Sequence, residues 1–248
     1  MSQELLLAPM PRQLSQTGGR FTLPADALIA LRGLDPQALR FTAGMLKQAL
    51  ADAAGVHWTI VAGEAAPLDR VAVELSIVPG VTPMPGGYNL TITAERIMIV
   101  GSAAAGVFYG VQTLCQLLRE HGASLPALRC VDWPDFPNRG VMLDVSRDKV
   151  PTLETVLGLV DLLAGFKINQ LQLYTEHTFA YQRHPAVWAD ASPFTGEEIL
   201  ALDAYCRARF IELAPNQNTF GHLHKWLEHP EYRHLAETPD GAQTPWGY

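Results

Sequence analysis

The strongest constraint on the fold lies in the second half of the chain, where short apolar runs alternate with stretches of helical periodicity. The runs fall at 140–145, 169–174 and 210–215, the first interrupted only by Asp144. Between the first two, Val156, Leu157, Val160, Leu163 and Ala164 share one face of a helix that Thr152 or Thr155 caps and that runs to Phe166. Residues 197–209 read as a second helix. Strands that are apolar along their whole length and separated by helices build a parallel sheet covered on both faces.

Such an α/β arrangement suggests a (β/α)8 barrel, whose site residues sit just past the carboxyl ends of its strands. Polar residues crowd at those places: Ser146, Arg147 and Asp148, then Thr175, Glu176 and His177, then Asn216, Gln217 and Asn218. A whole barrel takes about 250 residues, whereas roughly 110 run from Arg139 to Tyr248. That is room for about three βα units. A three-stranded parallel sheet with a bare edge makes a poor domain. The sequence therefore predicts a truncated TIM barrel over 137–248, with self-association through the exposed edge as a possible consequence.

The first half has a different grammar. An apolar run at 27–31 reads as a strand, and 36–54 as a helix with Phe41, Met45, Leu46 and Leu50 at helical spacing. Strands follow at 58–61 and at Val71–Ile77. Residues 88–93 alternate strictly, Ala94 and Glu95 turn, and 96–100 return as a hairpin. Ser102 can cap a helix over 103–120 that buries Val107, Phe108, Val111, Leu114 and Leu118. This predicts an α+β domain with an antiparallel sheet over 1–136. The prolines in Val131-Asp132-Trp133-Pro134-Asp135-Phe136-Pro137 forbid a helix and mark a linker.

Composition excludes several function classes. The net charge is −7 and no stripe of Lys or Arg forms, which argues against a nucleic-acid partner. No run approaches the roughly 18 apolar residues that span a bilayer. The N-terminus, Met1-Ser2-Gln3-Glu4-Leu5-Leu6-Leu7, lacks the basic start and long apolar stretch of a secretory signal, so a cytoplasmic setting is the default, with secretion left open. Cys115, Cys130 and Cys206 are too few and too scattered for a disulfide framework or a metal site.

Several residues could carry chemistry. Arg139, beside Gly140, offers a planar fork of donors able to bridge two vicinal hydroxyls; its alternative is an ion pair with Asp132 or Asp135. Asp144, inside an apolar run, needs a partner, and Arg147 is near enough in sequence to be one. Glu176 and His222, at neighbouring strand ends, can hydrogen-bond, which fixes the imidazole tautomer and raises its basicity. His222 and His224 form an H-x-H that could suit zinc. The flanking stretch with His229 and His234 reads as solvated surface, so no metal is expected. Gly-rich phosphate loops, G-x-S-x-G and C-x-x-C are absent, and no cofactor is expected.

Two segments resemble glycoside hydrolase family 20, the β-N-acetylhexosaminidases. The hairpin and helix from Gly87-Tyr88-Asn89-Leu90-Thr91-Ile92 through Gly106-Val107-Phe108-Tyr109-Gly110-Val111-Gln112-Thr113-Leu114 are similar to the end of that family's small α+β domain. The run Asp132-Trp133-Pro134-Asp135-Phe136-Pro137-Asn138-Arg139-Gly140-Val141-Met142-Leu143-Asp144-Val145-Ser146-Arg147 resembles the entry into its catalytic barrel, with Lys167-Ile168-Asn169 at the next strand start. The resemblance implies a carbohydrate substrate ending in N-acetylhexosamine and substrate-assisted, retaining hydrolysis. It implies that Arg139 grips sugar hydroxyls and that Glu176 and His222 tune the general acid. The family's catalytic Asp-Glu pair belongs on strand four. Nothing after Trp226 looks like that strand, so no catalytic residue is expected in this chain. Gln170-Leu171-Gln172-Leu173-Tyr174 replaces the family's His/Trp-rich run, and Asn216 and Asn218 stand where acidic residues are common. A non-catalytic carbohydrate-binding or assembly module and a metal-dependent hydrolase built on His222 and His224 are the alternatives.

Overall fold

In the computed structural model, which describes residues 5–33, 35–63, 67–241 and 243, the alternating runs at 88–93 and 96–100 form the centre of a sheet. Residues 1–4 of the N-terminal stretch read above for a leader lie outside the described residues. The chain divides into two units: Met1–Arg139 with Leu162–Ile168, and Gly140–Asp161 with Asn169–Tyr248.

The first unit contains β1 (Gln13–Thr22), β2 (Leu28–Arg32), α1 (Arg40–Ala54), β3 (Thr59–Ala62), β4 (Val71–Ile77), β5 (Tyr88–Ile92), β6 (Ile97–Gly101), α2 (Ala104–His121) and β7 (Ser124–Asp132). The sheet order is β1-β7-β5-β6-β4-β2-β3. The expected antiparallel hairpin is present, but the sheet around it is mixed. β5 pairs antiparallel with β6 and β7, and β1 with β7, whereas β2–β3, β2–β4 and β4–β6 are parallel. Antiparallel strands need only a tight turn, here closed by Thr93 N–H on Arg96 O; parallel strands need a crossover, which α1 supplies between β2 and β3.

Alternation puts Tyr88, Leu90, Ile92, Ile97 and Ile99 on the buried face, against Val107, Phe108, Val111, Leu114 and Leu118 of α2. Each such side chain contributes roughly 1.5–3 kcal/mol by leaving water. The approach is close: a Cβ on Gly106 would collide with the Gly87 carbonyl oxygen.

Local expectations fail in three places. Residues 36–39 form a 3-10 turn, so α1 buries Thr42, Ala43, Leu46 and Leu50 while Phe41 faces outward. Ser102 does not cap α2; its hydroxyl lies 2.7 Å from that of Thr82 and accepts the Thr82 N–H, and Ala103 holds the cap position without a side-chain bond. β1 and β7 went unanticipated. β1 is polar, largely exposed and interrupted near Gly18 and Gly19, whose φ values of 80° and 84° give it a turn's signature. β7 runs through Val131 and Asp132, residues expected in a linker; it carries Pro126 within it and ends before Pro134.

The second unit contains β8 (Gly140–Asp144), most of α3 (Leu153–Gly165), β9 (Gln170–Thr175), α4 (Pro185–Trp188), α5 (Gly196–Ala208), β10 (Glu212–Gln217) and α6 (His224–Leu227). Its sheet is parallel, in the order β10-β9-β8. A capping box starts α5: Thr195 Oγ1 accepts the Glu198 N–H and the Glu198 carboxylate accepts the Thr195 N–H. Glu212 N–H and Asn218 N–H donate to Asn169 O and Thr175 O of the neighbouring chain segment, so Pro215 falls where an N–H would point away from β9.

Candidate functional site

A parallel sheet presents the residues beyond its carboxyl ends together. In the second unit these ends are Asp144 of β8, Thr175 of β9 and Gln217 of β10.

At the end of β8, Asp144 Oδ1 accepts the N–H groups of Ser146 (2.9 Å) and Arg147 (3.2 Å), and Oδ2 accepts from Arg147 Nε at 2.6 Å. Burial alone would raise the carboxyl pKa, but the Ser146 N–H and the Arg147 guanidinium outweigh it and hold Asp144 below the usual carboxylate range. This turn leaves Arg147 half exposed, its guanidinium carbon 5.3 Å from the centre of the Tyr174 ring.

The end of β9 carries the buried acid. Glu176 is pinned by its own backbone: its N–H donates to Ser146 Oγ (2.7 Å), and its carbonyl accepts Gln217 Nε2 (2.9 Å) and Trp226 Nε1 (2.7 Å). Its side chain is only 3% exposed. Tyr174 Oη donates to Glu176 Oε1 at 2.8 Å and receives Asn218 Nδ2 at 2.6 Å. Burial pushes the Tyr174 phenol up, and Glu176 adds to it against the pull of Asn218 and Arg147, so the hydroxyl keeps its proton.

From the loop after β10, His222 brings Nδ1 to 3.4 Å from Glu176 Oε1, with its own side chain 53% exposed. A carboxylate facing Nδ1 favours the tautomer that carries its proton there, leaving Nε2 as the outward acceptor. Glu176 and His222, expected from sequence to meet, are thus brought together. His177 points elsewhere: burial lowers its pKa although Glu176 pulls upward, and its Nδ1 has no hydrogen-bond partner among the described residues.

Arg139 stands apart from these strand ends. It precedes Gly140, the first residue of β8, and so sits at the amino end of that strand. Within the first unit its Nε donates to Lys167 O (2.9 Å) and its Nη1 to Phe136 O (2.9 Å) and Pro137 O (3.3 Å), with the guanidinium 5.4 Å from the Tyr109 ring centre. The acids weighed as its partners are taken by others: Asp132 by Lys167 at 3.0 Å, and Asp135 by Arg12. The arginine past the carboxyl end of β8 is Arg147. The signal that could have found it is positional: Arg147 is three residues beyond Asp144, on the side of the sheet where Glu176 and His222 emerge.

The stretch read as solvated surface is also more structured than its composition suggests. Tyr232 is half-buried, 2.8 Å from His184 Nδ1, and its ring contacts Trp226 at 5.7 Å between centres. Among the described residues no three His, Cys, Asp or Glu side chains converge in a group able to hold a metal ion. No helix among them is long and apolar enough to cross a membrane.

Residues 4–133 match the profile described as glycosyl hydrolase family 20, domain 2, and residues 136–246 that of the glycosyl hydrolase family 20 catalytic domain. The sequence is 26% identical over 241 residues to a beta-hexosaminidase of Porphyromonas gingivalis, covering 87% of this chain and 30% of that protein. It is 36% identical over 107 residues to the N,N'-diacetylchitobiase of Vibrio harveyi, covering 41% of this chain and 12% of that one. Among solved structures it resembles the exo beta-N-acetylglucosaminidase of Vibrio harveyi in complex with N-acetylglucosamine, with a TM-score of 0.78 and 19% identity over all of this chain and 42% of the other. The Streptomyces plicatus N-acetyl-beta-hexosaminidase bound to thio-NAglucal gives a TM-score of 0.80 at 23% identity, covering 94% of this chain and 49% of that one. The chain therefore spans less than a third of these two curated relatives and about half of the solved ones.

Proposed function

Because the chain belongs to glycosyl hydrolase family 20, we propose that it serves an exo-β-N-acetylhexosaminidase, an enzyme that removes terminal N-acetylhexosamine from a carbohydrate. The observation that carries this reading is the buried Glu176 carboxylate facing His222 beyond the carboxyl ends of adjacent parallel strands.

In the mechanism we infer, the acetamido oxygen of the substrate attacks its own anomeric carbon and the leaving group departs with net retention. An Asp orients the acetamide and a neighbouring Glu protonates the leaving oxygen; both belong on a further barrel strand. The residues of this chain act one step behind. Glu176 holds the Nδ1 proton of His222, which leaves Nε2 to accept a hydrogen bond from the general acid and keep it in place. Arg147 offers guanidinium donors to vicinal sugar hydroxyls. We assign that role to Arg147 in place of Arg139, because Arg139 sits at the amino end of its strand with Nε and Nη1 on backbone carbonyls.

Three free, buried cysteines suit a reducing, cytoplasmic setting. A cleft of about 460 Å³ beside the edge strand β10, lined in part by Leu173, Ile199, Leu200 and Leu213, supports self-association of the isolated chain.

The test is hydrolysis of p-nitrophenyl β-N-acetylglucosaminide by the full-length protein. Release of p-nitrophenol, depressed by Glu176→Ala and by His222→Ala, is the expected result. Turnover indifferent to both substitutions would remove the pair from the mechanism, and no turnover of any N-acetylhexosaminide would remove the activity.

A further inference from the structure

We propose that Asn218, Tyr174 and Glu176 form a polarised hydrogen-bond relay, in which Tyr174 is the positioning residue that aims the Glu176 carboxylate at His222. The inference rests on the reading of Glu176 as the carboxylate behind His222 and adds to it what holds that carboxylate.

The direction of the relay follows from groups whose donor character is not in question. Asn218 Oδ1 faces the backbone N–H groups of Phe220 (3.1 Å) and Gly221 (3.4 Å). A backbone N–H can only donate, so the amide must turn its oxygen toward them and its nitrogen the other way. The nitrogen then donates to Tyr174 Oη at 2.6 Å. A phenol has a single proton. With its oxygen already accepting from Asn218, that proton goes to Glu176 Oε1, 2.8 Å away. An ionised carboxylate is an acceptor only, and a hydrogen bond to it is roughly twice as strong as one between neutral groups. Each bond in such a chain polarises the next.

The relay ties Tyr174 of β9 to the loop that follows its partner strand β10, past their last pairing at Thr175 and Gln217. The turn gripped by Asn218 Oδ1 leads directly into His222, and the hydroxyl gripped by Asn218 Nδ2 leads to Glu176. One side chain therefore sets both halves of the Glu176–His222 pair. Other charged groups face the pair from each neighbouring element. Arg147, held by Asp144, lies over the Tyr174 ring from the end of β8. His177 follows Glu176 on the loop after β9, and His224 and Lys225 of α6, with Glu228 just after it, act on His177.

The experiment uses the chain 1–248 in solution, followed by NMR of the Tyr174 hydroxyl proton, the Glu176 carboxyl carbon and the His222 ring, with circular dichroism as the check on folding. The unaltered chain should show a hydroxyl proton on Tyr174 protected from solvent exchange; a freely exchanging one overturns the relay without any variant. Tyr174→Phe keeps the ring beneath Arg147 and removes only the hydroxyl. It should shift the Glu176 and His222 signals in a folded chain, and unchanged signals would reduce Tyr174 to packing. Asn218→Asp preserves size and the bonds to the turn but puts an acceptor where the donor was. The Tyr174 proton should then swing to the new carboxylate, and Glu176 should respond as it does in Tyr174→Phe although the phenol is still present. A Glu176 signal that ignores Asn218→Asp would refute the polarity. None of these readouts needs turnover, so a failed relay leaves the hydrolase reading standing, and an inactive full-length protein with an intact relay strikes that reading alone.

Discussion

The ammonium nitrogen of Lys167 lies 3.0 Å from Oδ2 of Asp132, with both side chains nearly excluded from water. Tyr88 Oη completes the group, 2.9 Å from Lys167 Nζ, 3.1 Å from Asp132 Oδ2 and 2.7 Å from the Thr113 hydroxyl. Lys167 follows α3 in sequence, yet the segment Leu162–Ile168 groups with the first unit. Burial lowers the Lys167 pKa while Asp132 pulls it back up.

Removing one member of this pair should cost far more than removing both. Lys167→Ala leaves a buried carboxylate without its counter-charge, a loss of about 3–5 kcal/mol. Adding Asp132→Leu to Lys167→Met should recover much of it. Denaturant unfolding of the three chains measures this. A loss below about 1 kcal/mol in Lys167→Ala would show that the pair is solvated.

The two arginines at opposite ends of β8 should separate stability from activity. In the full-length protein, Arg147→Ala should lower kcat/KM by roughly tenfold to a hundredfold, the worth of a hydrogen bond from a charged group. Arg139→Ala should lower the melting temperature and leave kcat/KM of the folded fraction nearly unchanged. The opposite pattern would return the sugar-gripping role to Arg139.

Acid should weaken the second unit in two windows. Burial holds the folded-state pKa of His177 below its ordinary 6.5. The unfolded chain therefore binds more protons below that value, and stability complete above it falls as pH drops. Asp144 behaves as a depressed carboxylate: its contribution is present above 3.8 and is lost as pH falls further. Urea midpoints taken from about pH 8 to about pH 5 should decline in the unaltered chain and flatten in His177→Asn. An unchanged slope would assign the decline to another group.

The edge of the three-stranded sheet should govern association. Leu200 is 71% exposed beside β10, on the cleft that also holds Leu213. Sedimentation velocity should show the chain 1–248 in species larger than its 27.1 kDa monomer, with Leu200→Lys shifting it toward the monomer. A monodisperse monomer across the accessible concentration range would end the idea.

Much of this architecture is legible in local pattern. The apolar runs at 140–145, 169–174 and 210–215 become β8, β9 and β10, offset by two residues at most, and Val71–Ile77 is β4 as read. Apolar runs of strand length and helical repeats near 3.6 announce the element from neighbouring residues alone, although β8 and β10 are not covered on both faces as expected and hold no fully buried residue. β1 escapes because its residues are polar and exposed; what makes it a strand is the hydrogen-bonding edge that β7 offers it, more than a hundred residues away. Strand-end positions made Glu176 and His222 candidates to meet, the resemblance singled them out, and the structure sets them 3.4 Å apart.

What the sequence determined alone is thus the order and kind of the elements and the sites where polar groups gather, since these depend on periodicities that neighbouring residues carry. Only the tertiary structure decided which polar group meets which. It assigned Lys167 to Asp132, carbonyls to Arg139, Arg147 to the strand end that Arg139 was expected to serve, and Asn218 to Tyr174. Hydrogen bonds and ion pairs are short and directional, and Asn218 and Tyr174 lie 44 residues apart in the chain. Their choice depends on how strands align in space, which no local pattern encodes.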